Sequence, residues 1–133
     1  MLQSITLNAT FEELPKLSAW VAAQAPLNAR QTYAIQLCLE ELGVNLVLHG
    51  RPQGGNAVRF TVTLETEPLC VTVEDDGVAF DPTDAPAQAA SPTLESVTAG
   101  GLGLNLINGF ATQREYERIA GKNRSVLSFG EGA

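Results

Sequence analysis

Glu41-Leu42-Gly43-Val44-Asn45-Leu46-Val47-Leu48-His49 sets three polar side chains at i, i+4 and i+8 of a segment otherwise dominated by Leu and Val. On a helix these positions share one face, so Glu41, Asn45 and His49 form a polar stripe along an apolar rod. The stripe admits two readings. A solvated outer face is the first, and the segment taken alone slightly favours it. The second is a metal and nucleotide site. Asn offers a neutral amide oxygen suited to a hard cation such as Mg²⁺, and a neighbouring carboxylate can orient or deprotonate a hydroxyl nucleophile. His49 is the chain's single histidine, so no second imidazole can join it on a metal, and a structural role is expected of it.

Around this stripe the chain divides into helical and extended segments. Asn28-Ala29-Arg30-Gln31 is a capping-box signature ahead of the apolar-rich run 33–48, which predicts the longest helix. Gly50, Pro52, Gly54 and Gly55 end it. Upstream, residues 5–7 read as a short strand. Thr10-Phe11-Glu12-Glu13 reads as a further capping box, predicting a helix over 11–23 before Pro26 interrupts.

Downstream the period changes to two. Val58, Phe60, Val62 and Leu64 alternate with Arg59, Thr61, Thr63 and Glu65, the pattern of a strand with one wet face. Thr66-Glu67-Pro68 makes a tight connection to a strand over 69–74, so the pair reads as an antiparallel hairpin. A short helix over 104–110 and strands over 113–119 and 125–129 complete the expected elements. The fold class that results is α+β. It is a two-layer α/β sandwich, a mixed, largely antiparallel sheet with helices on one face, formed by a single domain spanning 1–133. Residues 83–99, rich in Ala, Pro, Ser and Thr, exceed the usual connection length and read as a lid or an unstructured loop.

Two further segments carry chemistry. In Asp75-Asp76-Gly77-Val78-Ala79-Phe80-Asp81-Pro82, parity separates the first two acids. Asp75 keeps step with Val71 and Val73 and is expected to point inward, whereas Asp76 keeps step with Thr72 and Glu74. An inward carboxylate, with Gly77 letting a ring approach the backbone, can accept a hydrogen bond from an exocyclic amine such as adenine's. An ordinary acidic turn is the competing reading. Gly100-Gly101-Leu102-Gly103-Leu104 stands before a helix, where backbone amides offer an anion site for phosphates. It is not a P-loop, since no Gly-Lys-Ser/Thr follows, and a lid-like loop rather than a strand precedes it.

In this order, the three segments resemble the N, G1 and G2 boxes of the GHKL, or Bergerat-type, ATP-binding fold. Within that superfamily the chain resembles the anti-sigma-factor serine/threonine kinases. Glu41-x-x-x-Asn45-x-x-x-His49 matches the N box, Phe80-Asp81-Pro82 the G1 extension and Gly100–Leu104 the G2 box. Tyr116-Glu117-Arg118 followed by Gly121-x-Asn123 is similar to the family's ending, so the resemblance runs close to full length. It implies ATP and Mg²⁺ as cofactors. Glu41 would be the general base for a serine hydroxyl, Asn45 the Mg²⁺ ligand, and Asp75 with Gly77 the adenine site. Gly101, Gly103 and the amide of Leu104 would line the phosphates. It further implies a sigma factor or similar regulatory client, an anti-sigma-factor antagonist protein as substrate, and a homodimer. A non-catalytic, ATP-dependent binding switch is the alternative function. Two departures stand out: Ala79 replaces a second glycine, and no Lys or Arg lies between Pro82 and Gly100 to offer a transferring phosphoryl group a cation.

Bulk properties narrow the field. A net charge of -7 and an isoelectric point near 4.5 argue against a binder of nucleic-acid phosphates. No run approaches the roughly 18 uninterrupted apolar residues of a membrane span, and residues 1–7 lack a signal-peptide pattern, so a cytoplasmic protein is expected. Cys38 and Cys70 lack metal-site spacing and read as two buried, reduced thiols.

Overall fold

The computed structural model describes residues 2–24, 26–50, 58–78 and 113–129. Five strands and two helices are formed there: β1 (Leu2–Asn8), α1 (Leu14–Ala22), α2 (Ala29–Asn45), β2 (Arg59–Thr66), β3 (Leu69–Asp75), β4 (Gln113–Ile119) and β5 (Lys122–Ser128). The strands make one sheet in the order β1-β2-β3-β5-β4. Every pairing among the described residues is antiparallel, with no parallel pair to make the sheet mixed. The expected lid, the Gly100–Leu104 segment and the helix over 104–110 lie outside the described residues.

Register follows from the period-two pattern. Leu7 pairs with Phe60, and Val62 with Ile5 and Val73. Val71 stands between Leu64 and Leu127. These residues share the face that packs on the helices, and a one-residue slip would turn all of them to water. Val62 and Val71 are fully buried, each contributing about 1.5–3 kcal/mol relative to an exposed position. The opposite face is hydroxyl-rich, with Thr6 against Thr61 at 2.8 Å and Ser4 against Thr63 at 3.2 Å.

The helical layer completes the core through Leu17, Val21, Ile35, Cys38 and Leu39. α2 begins with the expected reciprocal cap. Gln31 N–H donates to Asn28 Oδ1 at 2.7 Å, and Asn28 N–H donates to Gln31 Oε1 at 3.0 Å. At the crossing of the helices a Cβ on Gly43 would stand 2.7 Å from Leu14 Cδ2, so the glycine allows the close approach.

The first helix departs from expectation. It starts at Leu14 with Glu13 as an N-cap that makes no side-chain cap bond. The Glu13 carboxylate instead accepts from the backbone and side chain of Asn8 at 3.3 and 3.2 Å. Pro15 explains this: a helix begun at residue 11 would place an imino nitrogen where a donor is required, whereas the first turn tolerates it. β1 is longer than residues 5–7, because pairing with β2 extends it to both sides. β5 likewise starts earlier than residue 125, at Lys122, joined to β4 through Ala120 and Gly121, both at positive φ. Cys38 is fully buried, and burial pushes its thiol up to about 12 despite Arg114. Cys70, expected to be buried, is half-buried on the outer face of β3 and unpaired.

Candidate functional site

α2 does not carry the polar stripe to its end as a regular α-helix. After Asn45 the chain widens into a π-helical turn, Leu46–Gly50, a geometry that often marks functional positions. Glu41 is half-buried, Asn45 is 6% exposed, and His49 is exposed on the π-turn. The burial of Asn45 decides against a plainly solvated face. Its Nδ2 has no hydrogen-bond partner among the described residues, an arrangement costly enough to call for an explanation. Rotating the carboxamide by half a turn exchanges two atoms of similar size and presents the oxygen instead. The group thus fits a cation ligand. Among the described residues no cluster of three or more His, Cys, Asp or Glu could hold a metal.

Glu41 has its carboxyl raised above the ordinary range by burial and, secondarily, by the charge of Glu40 beside it. A carboxylate that holds protons more tightly is a better base near neutral pH.

Asp75 ends β3 on the inner face, opposite Phe60 and Asn123, while Asp76 is exposed. Parity therefore assigned the two acids correctly. Asp75 is 7% exposed. Its Oδ1 accepts from Gly77 N–H at 2.9 Å and from Asn123 Nδ2 at 2.9 Å. Burial raises its carboxyl above the ordinary 3.8, and the hydrogen bonds from Asn123 and Gly77 oppose that rise. Asp76 has a different task, accepting from Arg59 N–H at 2.9 Å across the hairpin.

Gly77 serves a contact that sequence reasoning did not foresee. A Cβ there would lie 2.5 Å from the Gly50 carbonyl oxygen and 3.0 Å from Asp75 Oδ1. Gly50 itself accepts from Val78 N–H at 2.8 Å. Thus the π-turn after Asn45 docks directly on the turn after Asp75, and glycine is required for that docking.

The family-like ending on β4 and β5 makes contacts that the sequence did not reveal. Asn123 donates to Val78 O at 2.7 Å as well as to Asp75, and its Oδ1 accepts from Tyr116 OH and from Arg118 Nη1, the latter at 2.9 Å. Its signal in sequence was parity: Asn123 and Ser125 keep step with the inward Leu127 and Phe129. Gly101, Gly103, Leu104 and Ala79 lie outside the described residues. A cleft of about 500 Å³ between α1 and α2, lined by Phe11, Leu14, Gln36 and Val44 among others, contains none of Glu41, Asn45 or Asp75.

Residues 7–129 match the histidine kinase-like ATPase domain family. The chain belongs to that family. The match spans every described element that positions Asn45 and Asp75. The histidine kinase-like chain is also 28% identical over 109 residues to the serine/threonine-protein kinase BtrW of Bordetella bronchiseptica, covering 81% of this chain and 77% of that one. These likenesses agree with the expected fold and with an ATP-binding family of kinases and regulators. No helix among the described residues is long and apolar enough to cross a membrane.

Proposed function

We propose that this chain is an ATP-binding serine/threonine-protein kinase that acts as an anti-sigma regulatory factor and phosphorylates a small antagonist protein. The observation that supports the reading most is that Asp75 and Asn45 are both buried while their segments are joined through the Gly50–Val78 hydrogen bond. The likeness to a protein named a serine/threonine-protein kinase adds to it.

In this reading the adenine amine donates to the free oxygen of Asp75. The amides at Gly101, Gly103 and Leu104 receive the phosphates. Asn45 would contribute its amide oxygen to Mg²⁺, which would supply positive charge to the phosphates. Glu41 takes the proton of a serine hydroxyl as its oxygen bonds to the γ-phosphorus and the bond to the β–γ bridging oxygen breaks, releasing ADP. The client would be a sigma factor or a similar regulator, and the kinase a cytoplasmic homodimer.

Incubating the purified chain with Mg-ATP and candidate antagonists tests this. Phosphoserine on an antagonist is expected, with Glu41→Ala losing at least about 100-fold in transfer while keeping nucleotide. An alternative, a non-catalytic switch that changes partners with nucleotide, is favoured by the absence of Lys and Arg between Pro82 and Gly100. Nucleotide-dependent partner binding that Glu41→Ala leaves unchanged, without phosphoserine on any antagonist, would select it.

A further inference from the structure

Two segments distant in sequence, the turn after β3 and the β4–β5 hairpin, meet at the Asp75 carboxylate. Asn123, 4% exposed, commits both amide hydrogens, one to Asp75 Oδ1 at 2.9 Å and one to Val78 O at 2.7 Å. Its oxygen receives Tyr116 OH and, at 2.9 Å, Arg118 Nη1. Arg118 can only donate, which fixes the way round in which the Asn123 amide must lie. The same guanidinium also reaches Gly77 O at 3.1 Å and Gly121 O at 3.2 Å, tying the turn after β3 to the β4–β5 turn.

We propose that Asn123, clamped by Arg118 and Tyr116, is a positioning residue that sets the preference of this site for an amino-bearing purine. The proposal rests on the reading of Asp75 as the adenine acceptor. Two N–H donors on Oδ1 fix the carboxylate plane and favour its ionised form, leaving Oδ2 as an acceptor. An ionised carboxylate accepts from the amine of adenine and has no hydrogen to give the oxo group of hypoxanthine. A carboxylic acid can donate there and discriminates less.

Groups facing Asp75 act on the same balance. Burial and Asp76 favour the protonated form, while Asn123, Gly77 and Arg118 favour the ionised one. Tyr116 acts through Asn123, and Arg59, Glu74 and Lys122 line the shallow groove on the open side of the sheet beside Asp75.

The test is titration of the full chain with Mg-ATP and with Mg-ITP, whose hypoxanthine carries an oxo group in place of the amine, from mildly acid to mildly alkaline pH. For Asn123→Leu, ATP affinity is expected to fall about tenfold or more, and the ATP-to-ITP preference should shrink. The acid limb of ATP binding should move to higher pH, because an opposing hydrogen bond has been removed. Arg118→Lys, at an exposed position, should show smaller changes in the same directions, and it decides the matter if Asn123→Leu does not fold. Loss of ATP by Asp75→Asn, with unchanged ratio and pH limb in folded Asn123→Leu or in Arg118→Lys, would overturn this proposal alone. Absence of ATP binding in the parent, or normal binding by Asp75→Asn, would overturn the adenine reading and this proposal with it.

Discussion

Asn45 is a buried amide whose place in the core calls for an explanation, and the proposed cation ligand supplies one. Its Nδ2 is buried without a partner among the described residues, so the folded chain bears a cost that a hydrophobic side chain of similar volume would not. Asn45→Leu is expected to melt at the parent temperature or above it while losing Mg²⁺-dependent nucleotide binding, measured by thermal denaturation with and without Mg-ATP. Asp75 makes a related trade through its charge. Its carboxyl is raised above 3.8 chiefly by burial, so between the unfolded and native values the folded chain holds more protons than the unfolded one. Stability from this group therefore falls as pH rises through that window, and the loss is complete above the native value. Asp75→Asn retains an oxygen for Gly77 and Asn123. It should match or exceed the parent in stability at neutral pH, an advantage that shrinks as the pH approaches 4. Denaturant titrations at several pH values measure it.

At the scale of elements, the decisive contact is between the π-turn that follows α2 and the turn that follows β3. Gly77→Ala forces a Cβ to 2.5 Å from the Gly50 carbonyl and should cost about 1–3 kcal/mol, with nucleotide affinity falling in parallel. Chemical denaturation and titration of the same variant check both. The β4–β5 turn offers the opposite case. Ala120 holds φ 52°, a left-handed conformation that burdens a residue with a Cβ. Ala120→Gly is expected to stabilise the chain by up to about 1 kcal/mol, read from the denaturation midpoint. Strand alternation and the Asn28–Gln31 cap were legible because each depends on a short run of residues. The start of α1 was misread because a capping-box spacing at Thr10–Glu13 was set above the stronger constraint of Pro15. The π-turn, and with it the contact that requires Gly77, has no local signature: it depends on what the helix end meets in space.

For the whole molecule, the sheet order brings β5 beside β3 and so sets Asn123 against Asp75, although 48 residues separate them. The alternation of β2 and β3 made the layered fold legible, and the inward parity of Asp75 made half of the proposed site legible as well. Asn45 was ambiguous in sequence because helical spacing gives a side chain its face without saying whether that face is wet. The Asn123 network was harder still, since its meaning exists only once the strands are ordered. The central proposal is that Asp75 and Asn45 belong to a single Mg-ATP site. Isothermal titration of Mg-ATP into the parent chain and Asp75→Asn, each verified as folded by circular dichroism, tests it most directly. The account predicts saturable binding by the parent and a loss of about tenfold or more in Asp75→Asn. Equal affinity in the two, or no binding by the folded parent, would contradict it.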